Sequence, residues 1–314
     1  MTAPTMATNA PWLIVGAGAL GQLFAASLAQ RQRVVLLGRR PTRHVIRLRK
    51  PDGTDHQIPA RRESLEQWSG PESPALVILA TKSHHGKTAL DALASRLPPQ
   101  TPLLLLQNGF LLQPRLTEQW SGPVLCASTT EAAYRPATAS GMDLDPDSPT
   151  PDVIHAAAGE TWIGDLADRH VTLATRVAEC LADAGMKAAA CQDIRHRLWR
   201  KLAINAVINP LTAIHRVRNG ELASRAFRPR VAALIAEIAH IMQAEDVPPP
   251  AQGWDVFIGD VIQATANNRS SMLQDVLANR PTERDAILGP LEEAARHHGL
   301  HLPAIADLYR QTPP

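Results

Sequence analysis

The stretch WLIVGAGALGQLFAASLAQ, residues 12–30, decides the fold. Its first four residues (WLIV, 12–15) form a continuous apolar run, as expected for a strand covered on both faces. They lead directly into Gly16, Ala17, Gly18, Ala19, Leu20 and Gly21, whose glycines have the spacing G-x-G-x-x-G, and a helical pattern covers 19–30. Between a strand and a helix, glycines at this spacing permit a tight turn, close approach of a pyrophosphate, and packing of helix on strand. The helix start also presents N–H groups and the positive end of its dipole to phosphate oxygens. The motif is weak in isolation. Here a second apolar strand, VVLL at 34–37, follows at the right distance, and a dinucleotide site is predicted.

The end of that second strand bears on which dinucleotide fits. A carboxylate there hydrogen-bonds the ribose of NAD, whereas an arginine accommodates the 2′-phosphate of NADP. Gly38-Arg39-Arg40 occupies the position, Arg43 is close by, and no acidic residue precedes Asp52. Arg39 is therefore the expected 2′-phosphate ligand, with Arg40 or Arg43 in support, and NADPH the expected cofactor.

Further apolar runs at 75–80 (ALVILA), 102–106 (PLLLL) and 123–128 (PVLCAS) alternate with helical segments near 84–96 and 111–119. Strand–helix alternation implies a parallel, doubly wound sheet. A loop rich in Pro, Ser and Asp at 136–152 precedes a strand pair and a helix near 168–184. From Asp193 the pattern is almost wholly helical, over 193–208, 228–246, 251–266 and 282–299. A domain boundary is expected between 186 and 194.

The bulk numbers exclude several classes of function. At 314 residues with a net charge of +2, the chain has room for two cores and lacks the basic excess of a nucleic-acid binder. No run approaches the roughly 18 apolar residues of a membrane span. Cys126, Cys180 and Cys191 are odd in number and widely spaced, which fits a reducing cytoplasm and neither a disulfide framework nor a zinc site. The His pairs at 84–85 and 297–298 lack metal-site spacing, so no metal is expected.

The segment RKLAINAVINPL, 200–211, places Lys201, Asn205 and Asn209 four residues apart among apolar neighbours. On an α-helix such positions share one stripe about 12 Å long. Pro210 is expected to end the stripe by disfavouring helical geometry at Asn209. The stripe either locks two helices together through an amide network or faces a small polar molecule, since buried polar groups need partners in both cases. Arginine is the default cation of this chain, so a lysine in an apolar helix stands out; Lys can lower its pKa on burial and Arg cannot.

Taken together, GAGALG, ATKSH around Lys82, LLQNG around Asn108, LWRKLAINAVINPLTAI with NGEL (198–222), and SSMLQDV…TERD (270–285) resemble the ketopantoate reductase family over nearly the whole chain. The resemblance implies an enzyme in which a nicotinamide hydride reaches the ketone carbon of 2-dehydropantoate, giving pantoate for pantothenate synthesis. By that resemblance Lys201 is the general acid, Asn205 and Asn209 hold the substrate's hydroxyl end with Asn219 nearby, and Ser271 binds the carboxylate. Glu283 completes the polar ring around substrate and nicotinamide ribose, while Lys82, Asn108 and Ala133 join the cofactor contacts. Read without the resemblance, Thr282 is a helix N-cap, Glu283 a first-turn dipole residue, and Ser271 a helix-end hydroxyl. Arg284, Glu131 and the long 136–152 loop depart from the family pattern.

The expectation is thus an α/β chain: an N-terminal Rossmann-type doubly wound domain (1–190) that binds NADP, followed by an all-α substrate domain (191–314). Its expected setting is the cytoplasm, its partner a small 2-oxo acid, with a homodimer allowed and neither nucleic acid nor membrane involved. Two alternatives stand beside it: a reductase of the same fold for another branched 2-oxo acid, and a non-catalytic NADPH-binding sensor.

Overall fold

In the computed structural model, which describes residues 10–39, 44–70, 72–136 and 150–314, Trp12–Val15 forms β1, with every residue buried. The chain continues as α1 (Ala19–Leu28), β2 (Val34–Gly38), β3 (Val45–Arg49), β4 (Asp55–Pro59), β5 (Arg61–Ser64), β6 (Leu76–Leu79) and α2 (Ser83–Ala94). Then come β7 (Leu103–Leu105), α3 (Leu112–Gln119), β8 (Val124–Thr129), β9 (Ala132–Tyr134), β10 (Val153–Ala157), β11 (Glu160–Gly164), α4 (Val171–Asp183) and β12 (Lys187–Ala190).

These strands make two sheets. The larger has the order β12-β11-β8-β7-β6-β1-β2-β5. Its strands from β5 to β8 are parallel, and β11 joins β8 antiparallel. β1, β6 and β7 are apolar and buried at every position, as parallel strands covered on both faces must be. The smaller sheet, β4-β3-β10-β9, packs on α1 through β3, β10 and β9. Its β3–β4 hairpin turns at Gly53, where φ is +85°. The sheet order reverses about β1, so the β1–α1 turn opens at a switch point, where folds of this kind take ligands.

The second unit is helical: α5 (Ile194–His215), a 3-10 turn (Asn219–Ala223), α6 (Arg228–Ala244), α7 (Gly253–Ala264), α8 (Ser271–Leu277), α9 (Arg284–Ile287), α10 (Gly289–His297) and α11 (Pro303–Gln311). Its core gathers Leu202, Ala206, Val207, Leu211, Ile238, Ile258, Leu291 and Leu308 among others.

Two features are not among the expectations. The units divide at Ile194/Arg195, and Asn108–Leu112 groups with the helical unit although its chain neighbours belong to the first. Phe110 packs against Trp199 at 5.1 Å between ring centroids and donates its backbone N–H to Ala286 O (3.2 Å), which ties the segment to α5 and α9. Secondly, α5 does not stop at Asn209; it runs through Pro210 to His215. A proline inside a helix costs about 3 kcal/mol. Ala206, Val207, Ile208, Leu211 and Ala213 around it are all at most 3% exposed. Burying one or two such side chains, at about 1.5–3 kcal/mol for each larger one, offsets that cost.

Candidate active site

In the first unit the nucleotide loop is set by backbone clearance. Gly16 has φ of +114°, and a Cβ there would lie 2.7 Å from Thr81 N. A Cβ on Gly21 would lie 1.9 Å from Gly16 O, so the helix can start this close to the turn only with glycine. Gly18 differs: the nearest atom to its Cβ would be Ala80 O at 3.9 Å. Gly18 is the N-cap of α1, with no side-chain cap and no acidic residue in the first turn. That leaves an open backbone face at a helix N-terminus, which suits an anionic pyrophosphate. Ala17 and the helix residues Ala19 and Leu20 carry no polar side chain into it. Behind the loop, buried Gln22 donates from Nε2 to Ala17 O at 3.2 Å.

Arg39 follows β2 and is exposed; Arg40 and Arg43 lie outside the described residues, as does most of the 136–152 loop. Lys82 follows β6 as the N-cap of α2. The first turn of α2 carries His84 and His85 with ring centroids 4.3 Å apart. The His85 pKa is lowered, first by partial burial and then by the charges of His84 and Arg39. Arg39 is thus near enough to the start of α2 for its charge to act on His85. Ala133 lies on β9, in the sheet that packs on α1. Glu131, just before it, accepts from Gly159 N (3.0 Å) and pairs with His155 Nε2 (2.7 Å), which pins two turns of the first unit.

In the second unit α5 carries the polar stripe, and it is longer than expected. Thr212 lies eleven residues beyond Lys201, only about 20° round the helix, so it extends the row formed by Lys201, Asn205 and Asn209. Its buried hydroxyl is 2.7 Å from Ser270 Oγ, and Asn209 Nδ2 approaches Ser271 Oγ at 3.5 Å. Ser270 caps α8 by accepting Leu273 N–H at 3.0 Å. Capping therefore falls to Ser270, and exposed Ser271 keeps its hydroxyl on the Asn209 side. Asn219 is tied to the end of α7: its Nδ2 donates to Thr265 Oγ1 (2.9 Å) and its N–H to Asn268 O (3.0 Å). Its Oδ1 is buried with no hydrogen-bond partner.

At the other end of the stripe, Glu283 occupies the N-cap position of α9 but makes no side-chain cap. Thr282 is not the N-cap; its Oγ1 accepts Arg284 N–H at 3.2 Å and donates to Pro313 O at 2.7 Å. Released from capping, the 5%-exposed Glu283 carboxylate accepts Asn108 Nδ2 at 3.2 Å. Burial lowers the Lys201 pKa from its ordinary value to about 8, and the Glu283 charge opposes that fall. A lysine tuned this way can release a proton near neutral pH and still be charged when substrate arrives. Lys201, Glu283 and Asn108 thus form one electrostatic group; Asn209, Thr212, Ser270 and Ser271 form a second, with Asn205 between them on the helix.

Residues 12–168 match the family model described as ketopantoate reductase PanE/ApbA, and residues 193–312 match its C-terminal partner. The chain belongs to the ketopantoate reductase family. It is 33% identical over 303 residues, covering 95% of each chain, to the 2-dehydropantoate 2-reductase of Vibrio cholerae. Among solved structures, a PanE/ApbA family ketopantoate reductase from Ralstonia eutropha superposes with a TM-score of 0.81 at 24% identity, over 96% of each chain. A D-mandelate dehydrogenase in a ternary complex with NADH and anilino(oxo)acetate gives the same TM-score, 0.81, at 21% identity, again over 96% of each chain. At these identities the solved structures speak for the fold. Membership makes the chain an oxidoreductase with a Rossmann-type first domain and a helical second one, as the motifs implied.

Two members of the candidate site escaped the sequence reading, Thr212 and Ser270. Thr212 was hidden by the assumption that Pro210 ends the helix; continuing the 100° rotation past the proline would have found it. For Ser270, the pair Ser270-Ser271 before an apolar run was the signal: one hydroxyl caps and its neighbour does not. Among the described residues, no three His, Cys, Asp or Glu side chains could hold a metal ion together, and no helix is long and apolar enough to cross a membrane.

Proposed function

We propose that this protein reduces 2-dehydropantoate to pantoate with NADPH, in the cytoplasm. The reading is carried by one observation: Lys201, its pKa brought down to about 8, stands beside Glu283 at the head of a stripe whose other members are neutral hydrogen-bonding groups. The nicotinamide supplies a hydride to the ketone carbon. As that bond forms, the carbonyl π pair moves to oxygen, and the site must supply a proton there. Lys201 is the one stripe residue that carries both a charge and a proton, so its ammonium donates to the carbonyl oxygen and is reprotonated from water afterwards. Glu283 keeps enough positive charge on Lys201 for that step, and Asn108 holds Glu283 in place. Asn205 and Asn209 bind the hydroxyl end of the substrate, with Asn219 nearby, and Ser271 binds the carboxylate.

On the cofactor side, Gly16 to Gly21 receive the pyrophosphate, and Lys82, Asn108, Ala133 and Glu283 contact the remainder. Arg39 supports NADPH over NADH, because a cation directly follows β2 with no carboxylate to repel a 2′-phosphate. Arg39→Asp should lower NADPH affinity roughly ten- to hundredfold, about 1.5–3 kcal/mol, while NADH affinity changes little. Equal losses for both cofactors would remove Arg39 from this role.

Oxidation of NADPH followed by absorbance, with a panel of 2-oxo acids including 2-dehydropantoate, tests the whole reading. Fastest turnover of 2-dehydropantoate is expected. Preference for another branched 2-oxo acid would move the substrate. Binding of NADPH without turnover of any would leave a sensor.

A further inference from the structure

The turn that carries Glu283 is gripped from a direction that neither the stripe nor the cofactor loop explains. Three successive backbone oxygens, those of Thr312, Pro313 and Pro314, face residues 282 and 284, which flank Glu283. Pro314 O accepts Thr282 N–H at 3.1 Å, and Pro313 O accepts Thr282 Oγ1 at 2.7 Å. Thr312 O accepts Arg284 Nη1 at 3.2 Å. The Arg284 guanidinium also stacks over the Tyr309 ring at 4.6 Å, and Asp285 Oδ1 receives both Arg284 Nε (2.9 Å) and Tyr309 Oη (2.7 Å).

The strap is itself stiff. Thr312, 2% exposed, caps α11 through bonds from its N–H and hydroxyl to Leu308 O. Its φ of −75° and ψ of 128° are the extended geometry imposed on a residue before proline, and two prolines follow with φ fixed. The opposite flank of α9 is held as tightly: a Cβ on Gly109 would sit 2.1 Å from Ala286 O, and Phe110 N–H bonds that same oxygen.

We propose that the segment Tyr309–Pro314, acting through Thr282 and Arg284, is a clasp that positions the Glu283 carboxylate for the reaction. This rests on the reading that Glu283 supports Lys201. The clasp residues touch no reacting atom; they are positioning residues. Arg284 finds a role here, since its guanidinium reaches both Tyr309 and the strap carbonyl, which an apolar side chain at that position could not do.

Thr282→Val removes the hydroxyl that bridges Pro313 and Arg284 while keeping the side-chain shape. Because misplacement of about 1 Å at an active site can cost up to about a hundredfold in rate, kcat with 2-dehydropantoate should fall about tenfold, while NADPH affinity stays unchanged. Glu283 raises the Lys201 pKa, so a displaced carboxylate should also move the alkaline fall of activity to lower pH. Thr282→Ser, which keeps the hydroxyl, should restore both. Arg284→Leu is the second variant, with the same two expectations, should Thr282→Val not fold. Activity that falls only with the folded fraction, with the pH profile unmoved, would make the clasp merely structural and overturn the proposal. So would wild-type kcat and profile in the clasp variants when Glu283→Gln is impaired. If Glu283→Gln itself behaves as wild type, the role of Glu283 fails and the clasp with it.

Discussion

The nucleotide loop and the polar stripe reach their shapes by opposite means. At 16–21 the backbone has no alternative: Gly21 meets Gly16 O at 1.9 Å if a single carbon is added, and Gly16 needs a φ that side chains rarely adopt. The stripe sits on an ordinary helix, and its specificity comes from side chains on three other segments: Asn108, Ser270–Ser271 and Glu283. Clearance is local in sequence and can be read from spacing. Partnership across 58 or 175 residues, as for Thr212–Ser270 and Asn108–Glu283, cannot.

The difference predicts how each region breaks. Removing Lys201 should do the greatest harm to turnover and little to folding. Lys201→Ala is expected to lower kcat roughly 10²–10⁴-fold, the usual worth of general acid catalysis, with NADPH affinity kept. Its pH dependence follows from sign: the donor must be protonated, and its pKa is lowered to about 8, so activity should be full below that pH and fall tenfold per unit above it. A stable Lys201→Ala protein with normal kcat would return the stripe to a helix-locking network.

A smaller effect separates the glycines. At Gly18 an added Cβ finds no atom nearer than 3.9 Å, so Gly18→Ala should fold and melt normally. It should nonetheless crowd the approaching pyrophosphate, and overpacking of about 1–3 kcal/mol corresponds to roughly five- to hundredfold weaker cofactor binding. Gly21→Ala should instead lower the melting temperature, since its clash is with the protein's own backbone. If Gly18→Ala binds cofactor normally, the open face at the start of α1 is not the pyrophosphate site.

The same contrast explains how much the sequence revealed. Five buried strands and the loop were legible because continuous apolar runs and glycine spacing are local signals. The β3–β4 hairpin was missed although Pro51-Asp52-Gly53 is a turn signature, because its strands alternate in polarity around charged residues such as Arg47 and Arg49. The N-cap at 282–284 misled for a different reason. Thr282 has the right chemistry for capping, but the strap at 312–314 takes its hydroxyl, and Glu283 inherits the position with its carboxylate turned elsewhere. No window around 282 contains that partner.

Ser271 gives the most discriminating test, because its neighbour is a built-in control. Ser270 and Ser271 are adjacent hydroxyls, one buried and capping α8, one exposed and near Asn209. Ser270→Ala should act on the fold: loss of an N-cap costs typically about 1 kcal/mol of stability. Ser271→Ala should leave the melting temperature alone and raise KM for the 2-oxo acid. One hydrogen bond to a charged carboxylate is worth about 1.5–3 kcal/mol, roughly ten- to hundredfold, and a bond made equally in ground and transition states appears in KM and leaves kcat unchanged. NADPH affinity should not move. A Ser271→Ala protein with native KM and a lowered melting temperature would show that both hydroxyls serve the helix. The carboxylate end of the substrate would then need another donor, and Asn205, the amide midway along the stripe, would be the next residue to substitute.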